Sequence, residues 1–283
     1  MIYLSTGLIN NQKTSFEVSK NLIKNSIYNI ELSAGLYSKN QYDKIKQLKS
    51  KNHNFLVHNY YPPTKKSFVI NLASKDKLIQ KKSFNLAKRA INFTNKIGGS
   101  YYSFHAGFLL DPKPNMLGKN FHKIKIISRK EAIKIFVKNI QKLNKYAKKK
   151  NVKLLIENNV ITKKNLKTFR QNPLLMCDYK EINLILKKLP KNVGLLLDVG
   201  HLNVSSKTLG FDKIKYIKSL RKKIFAAHLS DNNGVEDLNE PIKNNSWFWK
   251  YIKNLNYYTL EIKSKDINVL KNQISLTKKK LYE

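Results

Sequence analysis

The stretch Val193-Gly-Leu-Leu-Leu-Asp-Val-Gly-His201 sets how the rest of the chain is read. A short apolar run flanked by polar segments has the pattern of a strand buried on both faces. Asp198 stands at its C-terminal end, and His201 follows three residues later in the loop. Aspartate also caps turns, so a single Asp-x-x-His leaves two readings open, a structural cap or part of a site. In a parallel α/β barrel the chemistry collects at the C-terminal ends of the strands. What the other strands end in decides between the two.

Working outward, the chain alternates strand and helix patterns. Ile2–Gly7 reads as a strand and turn, 15–25 as a helix, and Tyr28–Ser33 as a second strand in which Glu31 alternates with apolar neighbours. A helix over Gln41–Lys51 leads to the strand Phe55–His58. The loop Asn59–Pro63 then runs into Phe68–Ala73. Ser74 is the expected N-cap of a long helix to Lys96, stopped by Gly98-Gly99. The strand Tyr101–Gly107 contains His105, and a long loop with Pro112, Pro114 and Gly118 spans 107–128. Loops of that length tend to be functional.

Ser128 caps a lysine-rich helix to Lys150, and Val152–Asn159 is the fifth strand, ending in Glu157-Asn158-Asn159. A second long loop and a helix over Asp178–Leu189 precede the stretch quoted first. After it come a helix over Asp212–Arg221, the strand Ile224–Asp231, a short helix over Ser246–Lys253, the strand Tyr257–Ile262 and a last helix over Asp266–Lys279. Eight strands alternating with eight helices imply a parallel sheet. With no Pro, Gly or Ser linker, they fit one closed (β/α)8 TIM barrel domain over residues 1–283. An open doubly wound sheet is disfavoured because no G-x-G-x-x-G follows the first strand.

Composition narrows the class. The 283 residues are 41% hydrophobic, too apolar for a disordered chain. No apolar run approaches the ~20 residues of a membrane span. The N-terminus lacks a secretory leader pattern, and Cys177 is the only cysteine. A cytoplasmic protein without a disulfide framework is therefore expected. The net charge of +37 comes almost wholly from lysine, since only four residues are arginine. The lysines are spread along the chain, and the planar fork of Arg, not Lys, reads bases and phosphates best. A nucleic-acid partner is disfavoured on this ground but stays open.

Six successive strands end in a residue of ligand type: His58, His105, Glu157, Asp198, His228 and Glu261. In a barrel these ends meet at one mouth. Any one alone reads as structural; the coincidence is what points to a site. Two Glu, one Asp and one His suit a divalent ion such as Mn2+, Mg2+ or Zn2+. Carboxylates gathered without a cation would repel one another, so the charges themselves imply a metal.

With these positions, the motifs FHAG (104–107), LLIENN (154–159), LLLDVGHL (195–202), AAHLSDNNG (226–234) and YTLEI (258–262) resemble the xylose-isomerase-like superfamily of TIM barrels over essentially the whole chain. That superfamily includes sugar isomerases and epimerases and the zinc-dependent apurinic endonucleases. VHNYYPP (57–63), FVINLAS (68–74), SFHAGFLLDP (103–112) and NSWFW (245–249) look closest to a bacterial sugar phosphate isomerase/epimerase branch. The epimerase resemblance implies one metal held by Glu157, Asp198, His228 and Glu261, with Glu157 and Glu261 also the acid/base pair. It implies substrate contacts from His58, His105, His201, Asn159 and Asp237, and a small-molecule sugar as partner, with carbohydrate metabolism as the setting. A homo-oligomer is left open.

The endonuclease resemblance makes His58, His105, His201 and Asp237 zinc ligands instead. It is weakened by Asn239, which stands where that branch carries a histidine. A non-catalytic sugar-binding barrel is the third alternative. Tyr60, Tyr61, Tyr101 and Tyr102 read either as a sugar-stacking platform or as packing. Trp247-Phe-Trp249 reads as packing and Cys177 as structural.

Overall fold

The computed structural model describes residues 1–116 and 124–283. Part of the loop expected over 107–128, including Gly118, lies outside the described residues. Eight short strands form one closed barrel in chain order, every neighbouring pair parallel. They are β1 (Ile2–Ser5), β2 (Asn29–Leu32), β3 (Asn54–His58), β4 (Tyr101–His105), β5 (Lys153–Glu157), β6 (Gly194–Asp198), β7 (Ile224–Leu229) and β8 (Tyr257–Leu260). β1 closes on β8 through the register Tyr3 to Thr259. The fold is the single (β/α)8 barrel expected from the sequence. Among the described residues, no helix is long and apolar enough to cross a membrane.

The alternation of side chains along a strand explains where the polar residues end up. Tyr3, Leu56, Leu155, Leu196, Ala226 and Tyr257 pack together as an apolar plug inside the barrel. Two residues further along the same faces come His58, Glu157, Asp198, His228 and Thr259. The residues between them, Val57, Ile156, Leu197 and Ala227, point outward into the larger core beneath the helices. These strands therefore carry one apolar layer and, above it, one polar layer; β2 instead sets Glu31 in register with Leu56 of the plug. Gly194 is needed at the start of β6 because a Cβ there would lie 2.3 Å from the Phe225 ring on β7.

The outer layer begins with α1 (Ser15–Lys24), α2 (Gln41–Leu48), α3 (Lys77–Lys96) and α4 (Arg129–Lys148). It continues with α5 (Lys163–Phe169), α6 (Tyr179–Lys187), α7 (Val199–Leu209), α8 (Lys213–Leu220) and α9 (Ile267–Tyr282). Two of these differ from the sequence reading. Lys163–Phe169 is a short helix capped by Thr162 inside the expected second loop. The chain after Asp198 is also not a loop: α7 starts at Val199, so His201 lies in its first turn. The Val, Ser and Thr residues of α7 are weak helix formers, which hides it from a propensity reading.

Smaller corrections concern ends. Asp76, not Ser74, caps α3, its Oδ1 accepting from the Leu78 and Ile79 amides. The Ser74 hydroxyl instead donates to Asp111 Oδ2 at 2.8 Å. Within 246–253 the helix is a single turn, Trp249–Tyr251. The tyrosines are packing residues: Tyr61 meets Phe93 edge-on, Tyr102 is fully buried and Tyr101 packs on Tyr257 beside the plug. Phe248 and Trp249 are core, and Cys177 is buried with its thiol pushed up by desolvation.

The loops after β4 and β5 are tied together by Arg129 at the start of α4. Its Nη1 donates to Glu181 Oε1 at 2.6 Å and to the Leu174 carbonyl, and its Nη2 donates to the Asn172 carbonyl. Glu181 Oε2 accepts from the Met176 amide at 2.6 Å. In Arg129→Ala the buried Glu181 loses its counter-charge, and stability should fall by about 2–4 kcal/mol. The midpoint of a urea unfolding curve reads this; a loss under about 0.5 kcal/mol would contradict it.

Candidate metal centre

The polar layer of the barrel converges on Glu157, at the end of β5 and fully buried. Its Oε2 is 3.3 Å from both His58 Nε2 and His105 Nδ1. Its Oε1 is 3.4 Å from His228 Nδ1 and 3.6 Å from His201 Nδ1. Asp198 Oδ2 and Glu261 Oε2 approach the same His228 nitrogen at 4.0 and 3.5 Å. Six strand-end residues and His201 are thus drawn into one cluster, as the sequence pattern implied.

Asp198 is a cap, and its second oxygen is left for other use. Its Oδ1 accepts from the His201 amide at 2.7 Å and caps α7. Its Oδ2 is buried, makes no hydrogen bond and faces the cluster. Glu157 Oε1, Glu157 Oε2 and His228 Nδ1 are likewise buried without hydrogen-bond partners. Buried polar atoms in this condition are rare and need an explanation. The donors of Glu157, Asp198, His228 and Glu261 all lie within 4.8 Å of one another. Four orphaned donor atoms, anionic or imidazole, aimed into one space are what a divalent cation requires.

The electrostatics follow from crowding charges in a dry interior. Burial pushes the carboxyl of Glu157 up, but the imidazoles of His105, His228 and His58 outweigh it and hold it well below the ordinary value. Burial also opposes ionisation of Glu261, yet His228 brings it down to about 2. Asp198 goes the other way: burial, with Glu157, Asp237 and Glu261 against His201, raises it to about 7. Desolvation lowers His105 to about 4, leaving it neutral and available as a donor. His228 and His201 are held well above the ordinary value, because their carboxylate neighbours outweigh burial.

A second set of donors adjoins the first. His58, His105 and Glu157 also place one donor each within 4.8 Å of one another. His58 is oriented by Ser103, whose Oγ lies 2.9 Å from Nδ1. His105 is the open member, its side chain 28% exposed.

His201 sits at the edge of the cluster. Its Nδ1 hydrogen donates to the Asn158 carbonyl at 2.8 Å, and its Nε2 lies 3.2 Å from Asp237 Oδ2. Among the described residues, no group of three close donors includes His201 or Asp237. Asn239 turns the chain in the left-handed region, φ 50°, and its carbonyl accepts from the Lys263 amide.

Two residues depart from the sequence expectation. Asn159, expected to contact substrate, clasps the loops instead: its amide donates to the carbonyls of Ala106, Gly107 and Leu175. Glu31 enters the cluster unannounced, its Oε2 lying 3.2 Å from His228 Nε2. The signal for Glu31 was an acid at an interior-facing position of a four-residue strand, where apolar residues are the rule.

Comparisons place the chain among known proteins. A family model described as xylose isomerase-like TIM barrel matches residues 29–277. A comparison with curated proteins finds no match in sequence. Among solved structures, a D-tagatose 3-epimerase-like protein superposes with a TM-score of 0.74 at 16% identity, covering 99% of this chain and 96% of that one. D-psicose 3-epimerase from Clostridium cellulolyticum H10, with D-tagatose, gives 0.65 at 13% identity, covering 99% and 97%. The IOLI protein with a bound zinc atom gives 0.65 at 14% identity, covering 99% and 97%. At these identities the superpositions establish a shared fold.

Proposed function

Since this chain belongs to the xylose isomerase-like TIM barrel family, we propose that it is a divalent-metal-dependent isomerase or epimerase of a sugar or sugar phosphate. The observation that carries the reading is the convergence of Glu157, Asp198, His228 and Glu261, with orphaned donor atoms and two glutamates flanking one space. A cation bound there would polarise a substrate carbonyl and offset the negative charge that develops on its oxygen.

The chain's own residues supply the proton movements. One glutamate takes the proton from the carbon beside the carbonyl. The C–H electron pair moves into the carbon–carbon bond, and the carbonyl pair moves onto oxygen. The other glutamate delivers a proton to an adjacent atom or to the opposite face of the same carbon. Glu261 has the more accessible carboxylate, its side chain 13% exposed against none for Glu157. His105 and the His201–Asp237 pair form the rim, where sugar hydroxyls would meet an imidazole and a carboxylate. The apolar plug beneath the site closes the barrel to water from below.

The test is solvent deuterium incorporation across a panel of ketoses and sugar phosphates. The expected result is exchange at one carbon, abolished by a chelator and restored by Mn2+, Mg2+ or Zn2+. Binding of a sugar without exchange would favour the non-catalytic barrel. Exchange by metal-free protein would overturn the reading.

A pH dependence also follows. Metal must displace protons from the imidazole of His228 and from Asp198, raised to about 7. Metal affinity should therefore fall as the pH drops, first through the His228 proton and, below about 7, through the Asp198 proton as well, by about tenfold per pH unit for each proton displaced. Titrations in buffers of different ionisation enthalpy should record proton release. Affinity that does not change with pH would contradict it.

The second set of donors, His58 and His105 on Glu157 Oε2, favours one other reading, an endonuclease-like hydrolase with a second metal. Incubation with an abasic duplex separates them: nicking, with binding that falls steeply in salt, would favour that alternative.

A further inference from the structure

We propose that Glu31 is the positioning residue of this centre, its buried carboxylate accepting the Nε2 hydrogen of His228 so that Nδ1 is left unprotonated toward Glu157, Glu261 and Asp198. The assignment rests on the metal reading above.

Glu31 lies on β2, across the barrel interior from β7 and 197 residues away in sequence from its partner. It pairs in register with Leu56 of the apolar plug, one layer below His58. It is fully buried. A lone carboxylate in such a place is costly unless a hydrogen-bonded partner compensates it. Two donors reach the same oxygen: His228 Nε2 at 3.2 Å and Thr259 Oγ1 at 3.1 Å. Only His228 can bring a shared proton with positive character.

The other nitrogen of the same ring is the informative one. His228 Nδ1 lies 3.4 Å from Glu157 Oε1, 3.5 Å from Glu261 Oε2 and 4.0 Å from Asp198 Oδ2, and it makes no hydrogen bond. An imidazole has one hydrogen to place when neutral. With that hydrogen fixed on Nε2 by Glu31, Nδ1 presents a lone pair where the carboxylates converge. Carboxylate–histidine pairs of this kind set ring orientation and tautomer and raise the basicity of the ligating nitrogen. On the nitrogen turned away from Glu157, His58 meets the Ser103 hydroxyl, whereas His228 meets the buried carboxylate of Glu31. The close approach of Glu31, His58 and His228 leaves direct coordination by Glu31 as the competing idea.

The experiment compares the full-length wild type with Glu31→Gln and Thr259→Val, each stripped with a chelator and titrated with Zn2+ and Mn2+. Glu31→Gln should bind the same number of ions per chain with affinity weakened about 10–100-fold. Thr259→Val keeps the Glu31–His228 bond and should retain wild-type affinity. Unchanged affinity in Glu31→Gln would overturn the proposal. So would an equal loss in both variants, which would trace the effect to packing, or the loss of a whole ion from Glu31→Gln, which would make Glu31 a ligand.

Nitrogen-15 spectra of the wild-type histidines keep the proposal testable even if Glu31→Gln does not fold. His228 should carry its hydrogen on Nε2; a hydrogen on Nδ1 in the zinc-loaded chain would overturn it. Wild type that binds neither ion would sink the metal reading instead, and the metal-free spectrum followed to a pH where His228 has lost one of its two hydrogens would still decide the Glu31 bond: the hydrogen kept on Nε2 supports it, one kept on Nδ1 overturns it.

Discussion

Glu157→Gln should lose its bound metal and its turnover together, the latter by about 10³-fold or more. The two oxygens of Glu157 face four imidazoles, those of His58, His105, His201 and His228. Glutamine keeps the size and shape, so the barrel should fold with an unchanged far-ultraviolet spectrum. It replaces one acceptor oxygen with a donor and removes the charge that offsets a cation. Both donor groups that share Glu157 would be broken at once. Metal content by elemental analysis and exchange of substrate hydrogen with heavy water read the two effects separately. A variant that keeps its metal and exchanges within a few-fold of wild type would show that Glu157 is not at the heart of the site.

Glu261→Gln should fail differently. Glu261 contributes one donor at the rim side of the group, accepts from Ser5 Oγ at 3.3 Å and is partly accessible. Three other donors remain, so metal should still load, with weaker affinity. At saturating metal the variant should nonetheless turn over about 10²–10⁴-fold more slowly, the usual contribution of a positioned acid or base. KM should change little by comparison, because the substitution leaves untouched the His105 side chain and the His201–Asp237 pair, the groups proposed to meet the sugar hydroxyls. Full activity once metal is saturated would make Glu261 a ligand only, and would break the two-glutamate mechanism. Comparing the two variants thus separates holding the metal from moving the proton.

Much of this was legible in the residues. A run of strands each ending in His, Glu or Asp, inside a strict strand–helix alternation, leads to a barrel whose ends meet. The structure adds the reason: period-2 alternation puts His58, Glu157, Asp198 and His228 two residues above Leu56, Leu155, Leu196 and Ala226 on the same interior faces. What stayed hidden had physical causes. Glu31 does not end a run of apolar residues, and only barrel closure brings it to His228. Helix α7 is built from residues that favour other states locally, and tertiary packing under β6 and β7 holds it. Asn159 sits in the most motif-like stretch of the chain, yet the three carbonyls that claim its amide come from two loops, at Ala106-Gly107 and at Leu175, that no local pattern connects. Cap and ligand are not exclusive for Asp198, because a carboxylate has two oxygens: Oδ1 caps α7 and Oδ2 is left facing the cluster.

A divalent ion held at the mouth of this barrel is what the proposed function stands on. Titrating the chelator-stripped, full-length chain with Mn2+ and Zn2+, with ions bound per chain as the readout, tests it most directly. The expected result is saturable binding of about one ion per chain, with proton release, lost in Glu157→Gln. Wild-type protein that binds neither ion, or a Glu157→Gln variant that binds as wild type does, would contradict it.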